Sequence, residues 1–135
     1  MPIRVVQLGS PRASDEGLRL GTVRRPPRGV RKQDYARRDY FDVWIPELAP
    51  SAALVKSALS PTPARWARFA RKYRQEMRAP AAQRLLLLLA ALSSTTNLSV
   101  GCYCADESKC HRSVLRELLK ESGADVIEYR PLPDA

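Results

Sequence analysis

The chain has 135 residues and a mass of 15.1 kDa, the size of one ordinary domain around a single core, so one domain, 1–135, is expected. With 44% hydrophobic and 27% charged residues, disordered and fibrous classes are excluded. The longest apolar run, residues 85–92, is far short of the roughly 18–20 residues that span a bilayer, and MPIRVVQLGS contains no apolar signal segment, so a cytoplasmic protein with no membrane partner is expected.

The net charge of +9 is unevenly placed: residues 1–80 carry 17 Lys and Arg against 7 Asp and Glu, and residues 81–135 carry 6 against 7. Segments 24–38 and 65–78 hold most of the excess. Such a field steers phosphates, nucleic acid or acidic partners, although a charge run is also what a solvated face looks like.

In chain order, residues 3–8 read as a buried strand and residues 18–23, interrupted by Arg19 and Gly21, as a second and weaker one. RRPPRGVR, residues 24–31, predicts a loop, because Pro26 and Pro27 remove donors and Gly29 permits a turn. Residues 38–48 are aromatic-rich but stopped by Pro46, and are expected to be irregular. Ser51 makes an N-cap for a short helix through about Leu59, ended by Pro61. Trp66, Phe69, Ala70, Tyr73 and Met77 fall at i, i+3, i+4, i+7 and i+11, which predicts a helix with a core face over 64–77. A base-stacking platform among arginines is the other reading of that stripe.

Residues 81–92 are apolar all round after Arg84 and predict a deeply buried helix, ended by SSTTN. A strand follows over 98–104, with Val100, Cys102 and Cys104 on one face. A helix from about Cys110 turns Val114, Leu115, Leu118 and Leu119 inward and ends at Gly123, an apt C′ residue. DVIEY, residues 125–129, is a further strand. Strand, helix and strand at this spacing predict a C-terminal βαβ unit with parallel strands. The fold class is α/β, a mainly parallel sheet flanked by helices.

GCYCADESKCHR, residues 101–112, holds all three cysteines and the only histidine. An odd cysteine count argues against a disulfide framework. The stretch is a turn from a strand end into a helix N-terminus, where open α/β sheets bind ligands and where backbone amides favour anions and thiolates. Cys104 and Cys110 are the candidate nucleophiles, with His111 as base or imidazolium partner, and one of the two is expected to ionise below the ordinary thiol range. Cys102, two residues deeper in the strand, is expected to be inert. A Ser-His-Asp triad has no place for its base, since the one histidine is already in this turn. Arg112 opposes the helix dipole and calls for a partner, either Asp106 and Glu107 or an anionic ligand. C-x-C-x5-C-H matches a Cys3His zinc set by residue type, but the C-x2-C knuckle is absent and, within a helix, the adjacent Cys110 and His111 would diverge by about 100°. No cofactor is predicted, and zinc stays the lesser reading.

Cys104-Ala105-Asp106 ending a strand, with Cys110-His111-Arg112-Ser113 opening a helix, resembles the signature of the family known as domain of unknown function 488. The resemblance continues in RRPPRGVRK, with Arg25, Arg28 and Gly29, in ELAPS, with Pro50 and Ser51, and in W-x2-F-x3-Y-x2-E at Trp66, Phe69, Tyr73 and Glu76. It spans most of the chain. The family usually has Glu where this chain has Asp106, and Cys102 lies outside its pattern. The resemblance implies a compact α/β fold with a parallel sheet and no established activity.

The motif arginines Arg25 and Arg28, with Arg112, Ser113 and Asp106 at the turn, are the candidate ligand-binding residues, the arginines suited to bidentate contact with a phosphate or carboxylate. The expected function is binding of a small anionic molecule, a phosphorylated metabolite or nucleotide, with thiol-dependent catalysis as its extension. The alternative is a non-enzymatic nucleic-acid binding module that uses segments 24–38 and 65–78.

Overall fold

The computed structural model describes residues 2–57 and 62–127. Strands β1 (Ile3–Gln7), β2 (Leu18–Gly21), β3 (Val43–Trp44) and β4 (Leu98–Cys102) form one sheet in the order β1-β4-β2-β3, with every pairing parallel. The two-residue β3 and a 3-10 turn, Pro46–Leu48, are regular pieces of a segment expected to be irregular. Strand β3 pairs along the outer edge of β2, where a short strand leaves few open backbone groups.

Helices α1 (Ala52–Ser57), α2 (Pro63–Glu76) and α3 (Pro80–Leu92) lie between β3 and β4, and α4 (His111–Glu121) follows β4. Ser51 Oγ accepts the Leu54 N–H at 3.2 Å, the expected cap. The expected end of that helix, at Leu59 and Pro61, lies outside the described residues. Thr62 Oγ1 caps α2 through the Arg65 N–H, with Pro63 at N1, where its missing donor is not needed. Phe69, Tyr73 and Met77 are buried on the core face of α2, and Tyr73 Oη donates to the Leu48 carbonyl at 2.6 Å.

One expectation for a helix is overturned. In α3, Ala82, Leu86, Leu89 and Ala90 face inward, but Leu87 and Leu88 are 58% and 53% exposed. The helix packs on one side only, so half of its leucine run meets solvent. Helix α4 ends as expected at Gly123, φ 95°, with the Ala124 N–H on the Leu119 carbonyl and the Gly123 N–H on the Lys120 carbonyl, a Schellman motif.

After α4 the chain returns to the sheet, where Val126 pairs in parallel with Ile3. The strand-helix-strand path is therefore present, with β1 lying between its two arms. Residues 128–129 of the expected strand lie outside the described residues.

The side-chain period of two divides the sheet. Ile3, Leu20, Leu98 and Val100 join the core under the helices, whereas Arg19 and Ser99, paired across the ladder, face the other way. That second face carries a buried polar network. The Arg19 guanidinium donates to both Glu16 carboxylate oxygens, at 2.6 and 2.9 Å, and to the carbonyls of Ser10 and Asp39, at 2.8 and 2.7 Å. Ser99 Oγ adds a donor to Glu16 at 2.8 Å. The network explains how residues 8–17 cross from the end of β1 to the start of β2 without a helix: the crossing is tied down by charge-assisted hydrogen bonds.

Gly101 gives β4 its fit. A Cβ there would lie 2.6 Å from Leu8 Cδ2 and 2.9 Å from the Val6 carbonyl oxygen. Gly101→Ala is expected to destabilise the protein by about 1–3 kcal/mol through overpacking. Equilibrium denaturation checks this, and a loss confined to the noise would contradict it.

Candidate active site at the carboxyl end of β4

Strand β4 stops at Cys102, two residues short of the expected end, so Cys104 lies beyond the ladder and is exposed. Cys102 stays buried with Cys110 in a small apolar cluster that also holds Leu8, Val23 and Phe41. Between the two thiols the chain makes a short 3-10 turn, Glu107–Lys109, capped by Asp106, whose Oδ1 accepts from the Ser108 N–H and Oγ at 3.0 and 2.7 Å. Below the turn, Glu107 and Arg116 form a buried bidentate pair at 2.9 Å.

Cys110 is the N-cap of α4, with φ −129° and ψ 153°. This extended conformation corrects the expectation that neighbouring Cys110 and His111 diverge, which holds only inside a helix. The Cys110 Sγ and His111 Nδ1 are 3.7 Å apart, and the Cys110 and Cys102 sulfurs are 3.2 Å apart. The Cys104 N–H donates to Cys102 Sγ at 3.4 Å.

His111 is 6% exposed and is held from behind. Its Nε2 lies 2.7 Å from the Thr22 carbonyl, which can only accept, so the proton is assigned to Nε2 and the Nδ1 lone pair faces Cys110. Thr22 Oγ1 donates to the Gly101 carbonyl at 2.9 Å. The Tyr73 ring stands edge-on to the imidazole at 5.3 Å. Thr22 belongs to no motif and Tyr73, although part of W-x2-F-x3-Y-x2-E, reads by its period as core, so nothing in the sequence marks either as a support of this histidine.

Arg112 is 3% exposed. It pairs with neither Asp106 nor Glu107. Its Nη2 donates to the Cys104 carbonyl, and among the described residues its Nε has no hydrogen-bond partner. A cation is thus fixed beneath the turn that carries Cys104.

The thiols do not ionise alike. Hydrogen bonds from Cys102 and Cys110, helped by the Arg112 charge and opposed by partial burial, push the Cys104 thiol down to about 3. Cys102 moves the other way, above the ordinary thiol range, because it hydrogen-bonds to Cys104 and Cys110 and is buried. Cys110 is lowered, first by its hydrogen bond with Cys102, while Cys104 and burial push it up.

These groups open into a cleft of about 720 Å³. Val23, Pro50, Val55, Trp66 and Phe69 form apolar walls, Arg24, Arg25 and Lys56 bring cations, and Cys102, Cys104, Cys110 and His111 line the reactive end. Arg24 is tied to the carbonyls of Pro50 and Ala49 at 3.0 and 3.2 Å. Tyr103 Oη donates to the Arg25 carbonyl at 3.0 Å, which holds the 24–31 loop against the cleft. Gly29 takes the positive φ, 72°, that its loop requires.

Over residues 3–123 the chain matches the family described as DUF488-N3a, the active DUF488-N3 subclade. The chain belongs to this family. No curated protein and no solved structure gives a significant match.

Within this DUF488-N3a chain the motif residues do different things. Cys104, Cys110, His111 and Arg25 meet at the cleft. Arg28 is exposed and is not among its described lining residues. Asp106 caps the 3-10 turn, Arg112 lies behind it, and Ser113 Oγ donates to the Cys110 carbonyl at 3.0 Å. Cys102, expected to be inert, is a member of the cluster. The signal was in the sequence: the period of two places Cys102 on the Cys104 face. The donor atoms of Cys102, Cys110 and His111 lie within 4.8 Å of one another, close enough for the cluster to hold a metal ion. Among the described residues no helix is long and apolar enough to cross a membrane.

Proposed function

We propose that the cleft binds a small anionic molecule with an apolar part, of the class of phosphorylated metabolites and nucleotides, and that Cys104 attacks it as a thiolate. The observation that carries this reading is the position of Cys104. It is the exposed thiol of the three, and it shares a cleft with Arg25, Lys56 and the aromatic side chains of Trp66 and Phe69. Apolar walls with a few placed cations suit a ligand that is part ring and part anion. His111, with its Nδ1 lone pair toward Cys110, is placed to take a proton from that thiol.

A thermal-shift screen of nucleotides and phosphorylated metabolites tests the binding step. A ligand at a hundredfold its Kd is expected to stabilise the fold by about 2.7 kcal/mol, and Arg25→Ala is expected to lose most of that shift. No shift across both classes, or a shift untouched by Arg25→Ala, sinks the reading.

A nucleic-acid binding module is the second reading, favoured by one observation. Arg65, Arg68 and Lys72 of α2 line a separate depression of about 240 Å³ beside Leu54 and Ser57. Affinity for generic DNA or RNA through such a face falls log-linearly with salt. Absence of binding at low ionic strength removes it.

A further inference from the structure

We propose that Cys102 and Cys110 form a redox-active dithiol that becomes a reversible disulfide by exchange, through Cys104, with a low-molecular-weight disulfide whose halves are anionic. The proposal rests on the reading of Cys104 as the nucleophile of the cleft and gives that nucleophile a further class of anionic substrate. It follows from a juxtaposition that attack on a phosphate or a carbonyl does not need: two buried sulfurs 3.2 Å apart, immediately behind an exposed third thiol whose backbone N–H reaches one of them. A disulfide bond of about 2.05 Å requires the two sulfurs to approach by only about 1 Å. They belong to the end of β4 and to the N-cap of α4, so the intervening turn can take up the movement. All three cysteines line the same cleft, and Arg25 and Lys56 lie along it to receive negative charge.

The exchange proceeds in three displacements. Cys104 Sγ attacks one sulfur of the substrate; the substrate S–S bond breaks, and one half leaves as a thiolate with the bonding pair. Cys110, its proton taken by His111 Nδ1, attacks Cys104 Sγ and expels the second half. Cys102 then gives up its proton and attacks Cys110 Sγ, which restores the Cys104 thiolate. The substrate has gained two electrons, the dithiol has lost them, and the protons of Cys102 and Cys110 end on the two released thiolates. A second dithiol, attacking the Cys102–Cys110 bond by the same chemistry, returns the protein to its reduced form.

The test uses the reduced full chain, without oxygen, and an equimolar amount of 5,5′-dithiobis(2-nitrobenzoate), an anionic aromatic disulfide. Wild type is expected to release both halves of the reagent and to keep no adduct. After alkylation and digestion, Cys102 and Cys110 should be bridged and Cys104 should carry the alkyl group. Cys110→Ser, in which serine can still serve as an N-cap, is expected to release one half and to keep the other on Cys104. Wild type that keeps its adduct on Cys104 overturns the dithiol while leaving the nucleophile in place. Wild type whose Cys104 does not react overturns both. Bridge mapping on wild type decides the matter even where Cys110→Ser does not fold.

Discussion

Arg19→Met is expected to destabilise the protein by about 3–5 kcal/mol, the usual consequence of removing one partner from a buried ion pair. For a chain of this length that is a fall in Tm on the order of 10–20 °C. Arg19 is fully buried, and its partner Glu16 is 2% exposed. The guanidinium supplies hydrogen bonds to Glu16 and to the carbonyls of Ser10 and Asp39. Methionine keeps much of the volume but none of the donors, so the Glu16 carboxylate stays in the interior with Ser99 Oγ and the Ala13 N–H as its remaining partners.

The pH dependence of the same variant separates this cause from simple loss of packing. Burial is the largest influence on the Glu16 carboxyl and pushes it up, but Arg19, the Ala13 N–H and Ser99 together hold it below its ordinary value of 4.5. A carboxyl depressed in the folded state contributes stability that is present above its unfolded value and is lost as pH falls through the folded one. In Arg19→Met the lowering by arginine is gone and the raising by burial remains. The wild-type advantage should therefore begin to shrink already above pH 4.5, where the raised carboxyl of the variant takes up its proton, and go on shrinking as pH falls through the depressed wild-type value. A constant difference between the two proteins from neutral to acid pH contradicts the ion-pair account.

That network also shows where the sequence was silent. Arg19 looked like an interruption of a weak strand, because in a half-buried strand a charge at an inward position is unfavourable. Its side-chain partners come from residues 10, 16 and 39, with Ser99 holding Glu16 in turn, and no local pattern connects them. The insertion of β4 between β1 and β2 was hidden for the same reason, since a period of two identifies a strand but not its neighbours. Helix α2, the Ser51 cap and the Gly123 ending were legible because each depends on residues within a turn or two of one another. The leucine run of α3 misled for a physical reason: uniform apolarity has no phase, and burial was decided by which side the neighbouring elements occupied.

The candidate site divides along the same line. Cys104, Cys110 and His111 stood out by type and spacing, and the turn from strand to helix was readable. The convergence of Cys110 with His111 was not, because it depends on the extended backbone of an N-cap rather than on spacing. Cys102 was passed over as a core residue, and burial is what it has. Burial and membership of the site turned out to be compatible, since a protonated thiol is the form that an apolar cluster favours.

Alkylation of Cys104 by iodoacetamide is expected to proceed at a nearly constant rate between pH 5 and 8, whereas an ordinary thiol with a pKa of about 8.5 gains about tenfold per pH unit over most of that range. With its thiol pushed down to about 3, Cys104 is ionised throughout, while an ordinary thiol at pH 5 is ionised to about one part in 3,000. The gain is partly offset, because nucleophilicity falls with pKa with a Brønsted slope of about 0.4–0.5, a loss of a few hundred-fold over this interval. Cys104 should thus react about tenfold faster than an ordinary thiol at pH 5, match it near pH 6 and fall behind it above that. Cys102 and Cys110, at 5% and 3% exposure, should label only after unfolding. The variants follow from the causes in order. Cys102→Ala removes the strongest one and should move the foot of the Cys104 profile to higher pH, and Arg112→Ala should move it in the same direction by less. Above the foot both variants should label faster than wild type, because a more basic thiolate is the better nucleophile. A Cys104 profile that rises tenfold per unit through neutrality, unchanged by either substitution, contradicts a thiolate held by its neighbours and removes the basis for nucleophilic attack from this position.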